Sequence, residues 1–279
     1  MARVVETVAG GIYLGESPRW HEGRLWFADW VAEKLFTLGE GGEKRLEASI
    51  ASLPFSIDWL PDGRLLVVNA RRNLLERREA DGSFAIHADL SNLSELGCNE
   101  IVVAPNGDIY VNNIDFEFPG GEFRPGFIAL VRDGVARRVA EGLAFPNGMA
   151  ITPDGRTLIC GESYSKRLTA YAIQPDGTLS EGRVWAQFED GGPDGICLDA
   201  EGAIWTSLGP RAVRVREGGE IIERIELDRF CFATMLGGED GRTLFMMAAD
   251  WPGAIAGPDS APTGRVYAAR IDVPHAGYP

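Results

Sequence analysis

Histidine is scarce in this sequence: three in 279 residues, His21, His87 and His275, beside turns or near the C-terminus. No G-x-S-x-G elbow accompanies them. The nearest approach, Gly161-Glu162-Ser163-Tyr164-Ser165, lacks the closing glycine, which argues against a Ser-His-Asp hydrolase. There is no Walker loop and no G-x-G-x-x-G after a strand, and Gly39-Glu40-Gly41-Gly42 is too short a connection to open a helix, so no nucleotide cofactor is expected. The four cysteines, Cys98, Cys160, Cys197 and Cys231, have no C-x-x-C spacing. They read as small buried hydrophobes, neither a zinc cage nor a redox pair. Positive charge is in deficit. A net charge of −14 sets the protein's own field against phosphate backbones and anionic membranes, and favours a cation. No apolar run reaches the roughly 18 residues of a membrane helix. The opening MARVVETVAGG has no apolar core of a secretory signal, so a cytoplasmic protein is expected.

Long helical periodicity is missing too, and in its place a hairpin signature recurs six times. The copies are SPRWHEGRLWFADW (17–30), SIDWLPDGRLLVVNA (56–70), NEIVVAPNGDIYVNN (99–113), NGMAITPDGRTLICGE (147–162), DGICLDAEGAIWTSL (194–208) and TMLGGEDGRTLFMMAA (234–249). Their turn glycines, Gly23, Gly63, Gly107, Gly155, Gly202 and Gly241, are spaced by 40, 44, 48, 47 and 39 residues, the period of a propeller blade. Pro61-Asp62-Gly63, Pro105-Asn106-Gly107 and Pro153-Asp154-Gly155 are tight-turn chemistry: a fixed φ, a side chain that caps its own backbone, and a glycine free to take positive φ.

The flanking apolar runs have strand length. Phe127 to Val131 and Arg167 to Ile173, with turns at Asp133-Gly134 and Asp176-Gly177, read as outer strands. The fold expected is an all-β six-bladed β-propeller with four-stranded blades around a central channel, one domain over residues 1–279. A strand around Arg3 to Val8 should close the ring by pairing into the blade that carries Arg265 to Val273. Pro252 to Ala261 reads as a surface loop.

In such a hairpin the start of the first strand and the end of the second lie at the same end, opposite the turn. If each first strand lines the channel, six starts converge on one mouth. Counting back seven or eight residues from each turn glycine gives Glu16, Ser56, Asn99 or Glu100, Asn147, Asp194 and Thr234, every one bearing oxygen. Glu16, Asn147 and Asp194, with Asn99 as a further amide, form an oxygen-only set suited to a hard divalent cation such as Ca²⁺ or Mg²⁺. Second-strand exits add Asp29, Asn69, Asn112, Asn113, Glu162, Ser163, Ser207, Asp250 and Trp251, some of them expected substrate contacts. The segment Ile114 to Gly121 is long and aromatic enough to form a lid or pocket wall.

Gly15-Glu16-Ser17-Pro18-Arg19-Trp20, Phe145-Pro146-Asn147-Gly148-Met149-Ala150, Glu162-Ser163-Tyr164 and Gly192-Pro193-Asp194-Gly195 resemble, in order along the chain, the signature stretches of the senescence marker protein/gluconolactonase/luciferin-regenerating-enzyme family. The resemblance implies a six-bladed propeller with one divalent metal at the channel mouth, acting on sugar lactones. It implies Glu16, Asn147 and Asp194 as metal ligands, Asp194 also as catalytic acid/base, Asn99 as a substrate residue near the metal, and Glu117 as a carboxylate for sugar hydroxyls. Two positions depart from the pattern: Gly97 stands where an arginine is common, and Glu100 where aspartate is commoner. These departures point toward a smaller or less hydroxylated lactone, with Trp30, Trp59, Phe116 or Trp251 as apolar walls.

The expected chemistry is metal-assisted hydrolysis of a cyclic ester, with Ca²⁺ first and Mg²⁺, Mn²⁺ or Zn²⁺ as alternatives. Asp194 would activate water, Glu100 would be the second candidate base, and Asn99, Glu100, Asn113 and Glu117 would face the substrate. The competing readings are a non-catalytic calcium-binding or interaction propeller, and a related propeller esterase with a non-sugar substrate.

Overall fold

A computed structural model of the protein describes residues 3–39, 41–250 and 259–279. The described residues form strands and no helix, arranged as six four-stranded antiparallel sheets. No helix of the described residues is long and apolar enough to cross a membrane. The molecule is a six-bladed β-propeller.

Each repeat hairpin supplies the inner two strands of a blade. The inner strands are Gly15–His21, Phe55–Trp59, Ile101–Val103, Pro146–Ile151, Ile196–Leu198 and Phe230–Gly237, in blades 1 to 6. Each lies beside the inner strands of its neighbours, which places all six around the channel. All six turn glycines have φ between 69° and 88°, a region that side chains with a Cβ enter at a cost. Gly126–Arg132 and Arg167–Ala172 are the third strands of blades 3 and 4, as their sequence patterns suggested.

Blade 6 takes its outermost strand from the other end of the chain. Val5–Ile12 pairs antiparallel with Gly264–Arg270, Val5 opposite Ala269 and Thr7 opposite Tyr267. Arg3 pins this closure through Nε to Glu223 Oε1 at 2.6 Å and Nη2 to Asp272 Oδ2 at 2.7 Å. The expected closure is therefore present, running four residues further than Val8. Most of the Pro252 to Ala261 loop lies outside the described residues.

Strands buried on both faces read as continuous apolar runs, and here they pack blade against blade. Leu66, Val68, Ile101 and Val111 join blades 2 and 3, and Ile159, Leu168, Ile204 and Val213 join blades 4 and 5. The core is thus a ring of inter-blade seams. All four cysteines are buried and free. One feature carries no repeat signal: the tail after the last strand runs beneath the turn end of the channel, with Tyr278 bridged to Ile151 and His275 to Asp199.

Candidate functional site

At the end of the channel opposite the turns, local irregularities present the ring side chains. The register of blade 1 slips between Glu16 and Arg19, and that of blade 4 between Pro146 and Met149. Such bulges re-aim side chains beside functional sites. Ser17 sits at φ 48° in the first slip, and its Oγ accepts a hydrogen bond from Ile57 N of blade 2 at 3.0 Å. Asn147 is held from both sides. Asn112 Nδ2 donates to its carbonyl at 2.6 Å, and Gly148 N donates to Asp194 O at 3.2 Å.

Glycine sets how closely these strands approach. A Cβ on Gly148 would stand 2.6 Å from Asp194 O, and one on Gly195 2.5 Å from Ala233 Cβ. The segments carrying Asn147 and Asp194 can therefore lie backbone to backbone, with Gly195 N donating to Phe232 O at 2.8 Å on the far side.

The structure brings Glu16, Asn99, Glu100, Asn147 and Asp194 together at the channel mouth. Glu16 is 6% exposed and Asn147 9%, while Asp194 is more open. A cavity of about 10 Å³ bounded by Glu16, Arg19, Glu100, Asn147 and Thr234 has room for roughly one water-sized guest. Burial raises the Glu16 carboxyl well above its usual range, and the charges of Asp194 and Glu100 add to the effect. Asp194 is pushed up to about 8, by burial first and Glu100 second. Burial raises Glu100 as well, opposed by Arg19.

No ion pair among the described residues involves Glu16 or Asp194. Arg19, the cation of this region, is engaged by Glu100 Oε2 at 3.2 Å and Ile101 O at 2.7 Å through its Nη2. Among the described residues no three His, Cys, Asp or Glu side chains converge as a metal cluster. A cation here needs the amide of Asn147 beside the two carboxylates. That donor set, all oxygen with two uncompensated acids, fits a hard divalent ion.

The other expected site residues take different positions. Asn99 Nδ2 donates to Asn147 Oδ1 at 3.3 Å, at the heart of the ring. Glu100 turns its carboxylate toward Arg19 and Ile101 N. Asn113 is fully buried, donating to Leu96 O and accepting from Asp115 N, both at 2.7 Å, so it anchors the start of the long mouth loop 114–125. Glu117 is exposed on that loop, where Phe116 packs under Phe123, Phe145 and Tyr164.

Among the proposed walls, Trp30 lies at the mouth, its Nε1 bonded to Phe55 O, and Trp251 lies outside the described residues. Trp59 is a correction. It stands at the turn end, stacked on His21 at 4.1 Å, and lines a separate cavity near His275 and Tyr278, so it cannot wall the mouth.

Most of the second circle ties the fold together. Asp29 accepts from Tyr13 N and Leu14 N, Glu162 from Ala144 N and Arg167, and Ser207 donates to Phe232 O. Ser163 touches the ring, accepting from Asn147 Nδ2 at 3.4 Å and donating to Pro193 O at 2.8 Å. Asn112 matters more than its exit position suggested: its side chain links Glu100 N to Asn147 O across two blades. At Gly97 a Cβ would stand 2.2 Å from Ala70 O, so the missing arginine is excluded by backbone packing.

Comparison with known proteins identifies the family and the fold. Residues 14–250 match the family described as SMP-30/Gluconolactonase/LRE-like region. A pentonolactonase of Haloferax volcanii is 28% identical over 300 residues, spanning 100% of this chain and 96% of its own. Among solved structures, a luciferin-regenerating enzyme superposes with a TM-score of 0.84 at 20% identity, covering 99% of this chain and 98% of its own. A calcium-binding protein, regucalcin, from Agrobacterium tumefaciens gives 0.80 at 22% identity, with 100% and 97% covered.

Proposed function

The chain belongs to the SMP-30/gluconolactonase/LRE-like family, and on that premise we propose that it is a divalent-metal-dependent lactonase, a carboxylic ester hydrolase that opens a cyclic ester with water. The observation that carries this reading is the convergence of Glu16, Asn147 and Asp194 at one mouth, with both carboxyls raised by burial and by neighbouring carboxylates and neither of them in an ion pair among the described residues. The lactonase name of the full-length relative supports the reaction class.

Glu16, Asn147 and Asp194 would hold the cation, Ca²⁺ first and Mg²⁺, Mn²⁺ or Zn²⁺ as alternatives, and the ion when bound would supply Lewis acidity toward the ester carbonyl and acidify a water. Asp194 takes the proton of the attacking water. It is the more open of the two ring carboxylates, so a water entering from the mouth reaches it, while Glu16 is enclosed by the bulge. Arg19 holds Glu100 by an ion pair, and Glu100 is the second candidate base and a charge beside the substrate. Asn99 offers its amide to the substrate from beside Asn147. Asn113 fixes the loop on which Glu117 can accept a substrate hydroxyl.

Asp194→Asn tests the assignment, because it keeps an oxygen donor and removes the base. With metal retained, kcat for a responsive lactone should fall about 100-fold or more. An unchanged kcat would leave Asp194 a ligand only and move the base to Glu100.

A further inference from the structure

Among the described residues, the aromatic side chains left exposed all lie at the mouth end: Phe118, Phe123, Tyr164 and Phe230, each between 44% and 51% exposed. Phe118 and Phe123 belong to loop 114–125, Tyr164 follows the second strand of blade 4, and Phe230 opens the inner strand of blade 6. Among the described residues the turn end has none. Three of the four join a continuous aromatic face. Phe118 meets Phe145 edge-on at 5.1 Å, Phe123 lies 5.8 Å from Tyr164, and Tyr164 lies 4.7 Å from Phe145, with buried Phe116 beneath them.

This face is tied to the ring covalently. Phe145 precedes Pro146-Asn147, and Tyr164 follows Ser163, which bonds both Asn147 Nδ2 and Pro193 O. On a molecule of net charge −14, a cluster of exposed rings confined to the rim of one site is a binding surface. Its chemistry is apolar. The ring faces offer dispersion and shelter from water, and the Tyr164 hydroxyl is the sole hydrogen-bonding group on the three exposed rings.

We infer that the substrate is a lactone carrying an alkyl or aryl substituent, laid on Phe118, Phe123 and Tyr164 while its ester reaches the ring of Glu16, Asn147 and Asp194. The inference rests on the lactonase reading and adds the substrate class.

The test compares kcat/KM of the metal-loaded protein on δ-valerolactone, its alkyl-substituted homologues such as δ-decalactone, and δ-gluconolactone. The alkyl lactone should be preferred over both others by about tenfold or more. Phe118→Ala combined with Phe123→Ala should remove about tenfold of that preference while leaving δ-valerolactone within about twofold. Phe123→Leu, which keeps an apolar surface, should retain most of it and guards against a folding artefact. Preference for δ-gluconolactone, or an equal loss on substituted and unsubstituted rings, would overturn the inference and leave the lactonase reading standing. Failure to hydrolyse any of the three lactones with any of the four cations would remove the lactonase reading, and the inference with it.

Discussion

In the bare protein burial makes both Glu16 and Asp194 harder to ionise, and the charges of Asp194 and Glu100 at Glu16, and of Glu100 at Asp194, add to the cost, with Arg19 offsetting part of it at Glu16. A cation bound between them must displace the protons they hold. Asp194 titrates at about 8 when bare, against an ordinary 3.8, so below that pH the proton competes and above it the competition ends. Metal affinity should therefore rise with pH through the neutral range toward about 8, with proton release on binding at neutral pH. Calorimetry in buffers of different ionisation enthalpy measures this directly; an affinity that does not change over that range would contradict the assignment. Glu16→Ala should weaken metal binding more than Asp194→Asn, because the asparagine keeps an oxygen in place. Which residues reach the mouth was legible from the turn glycines, since a tight hairpin fixes the distance from turn to strand start. Where their side chains point was less so: that Glu100 bends to Arg19 depends on a bulge in another blade, where Ser17 and Pro18 stand against Phe27 alone. The misplacement of Trp59 was avoidable, because it stands four residues before Gly63 and belongs at the turn end by the same count.

Between elements, the approach of the Asn147 and Asp194 segments depends on a missing methyl group. Gly148→Ala would drive a Cβ to within 2.6 Å of both Asp194 O and Ile196 N. The overpacking should cost about 1–3 kcal/mol of stability and weaken metal binding at the same time, since the two ligands are pushed apart. Chemical denaturation with and without metal separates the two effects, and a variant of wild-type stability would show that the strands can part freely. The strand pairs of each blade were legible in the alternation of apolar runs and turn residues. The bulges at Glu16 and Asn147 were not, because the sequence pattern marks where a strand begins but not where two residues face one. Asn112 was visible only as a strand exit, and its bridging role depends on the adjacent blade.

Across the whole molecule, the ring is closed by pairing between the two ends of the chain, without a disulfide. Deleting residues 1–8 removes part of the outer strand of blade 6 and the Arg3 links to Glu223 and Asp272. The melting temperature should then fall by several degrees or more, since every inter-blade seam shares the same closure. A truncated chain melting within about a degree of the intact one would contradict this. The six-fold repeat made the architecture legible from spacing alone, and its phase located the mouth. The tail from Pro274 to Pro279, which crosses the turn end through Ile151, Leu198 and Gly241, has no repeat to announce it.

The central claim is that this mouth hydrolyses cyclic esters with a bound divalent cation, and lactone hydrolysis before and after chelation tests it most directly. Wild-type protein stripped by a chelator should lose nearly all of its activity and regain it on addition of Ca²⁺, Mg²⁺, Mn²⁺ or Zn²⁺. Stripped protein that opens the same lactone at the undiminished rate would contradict the account.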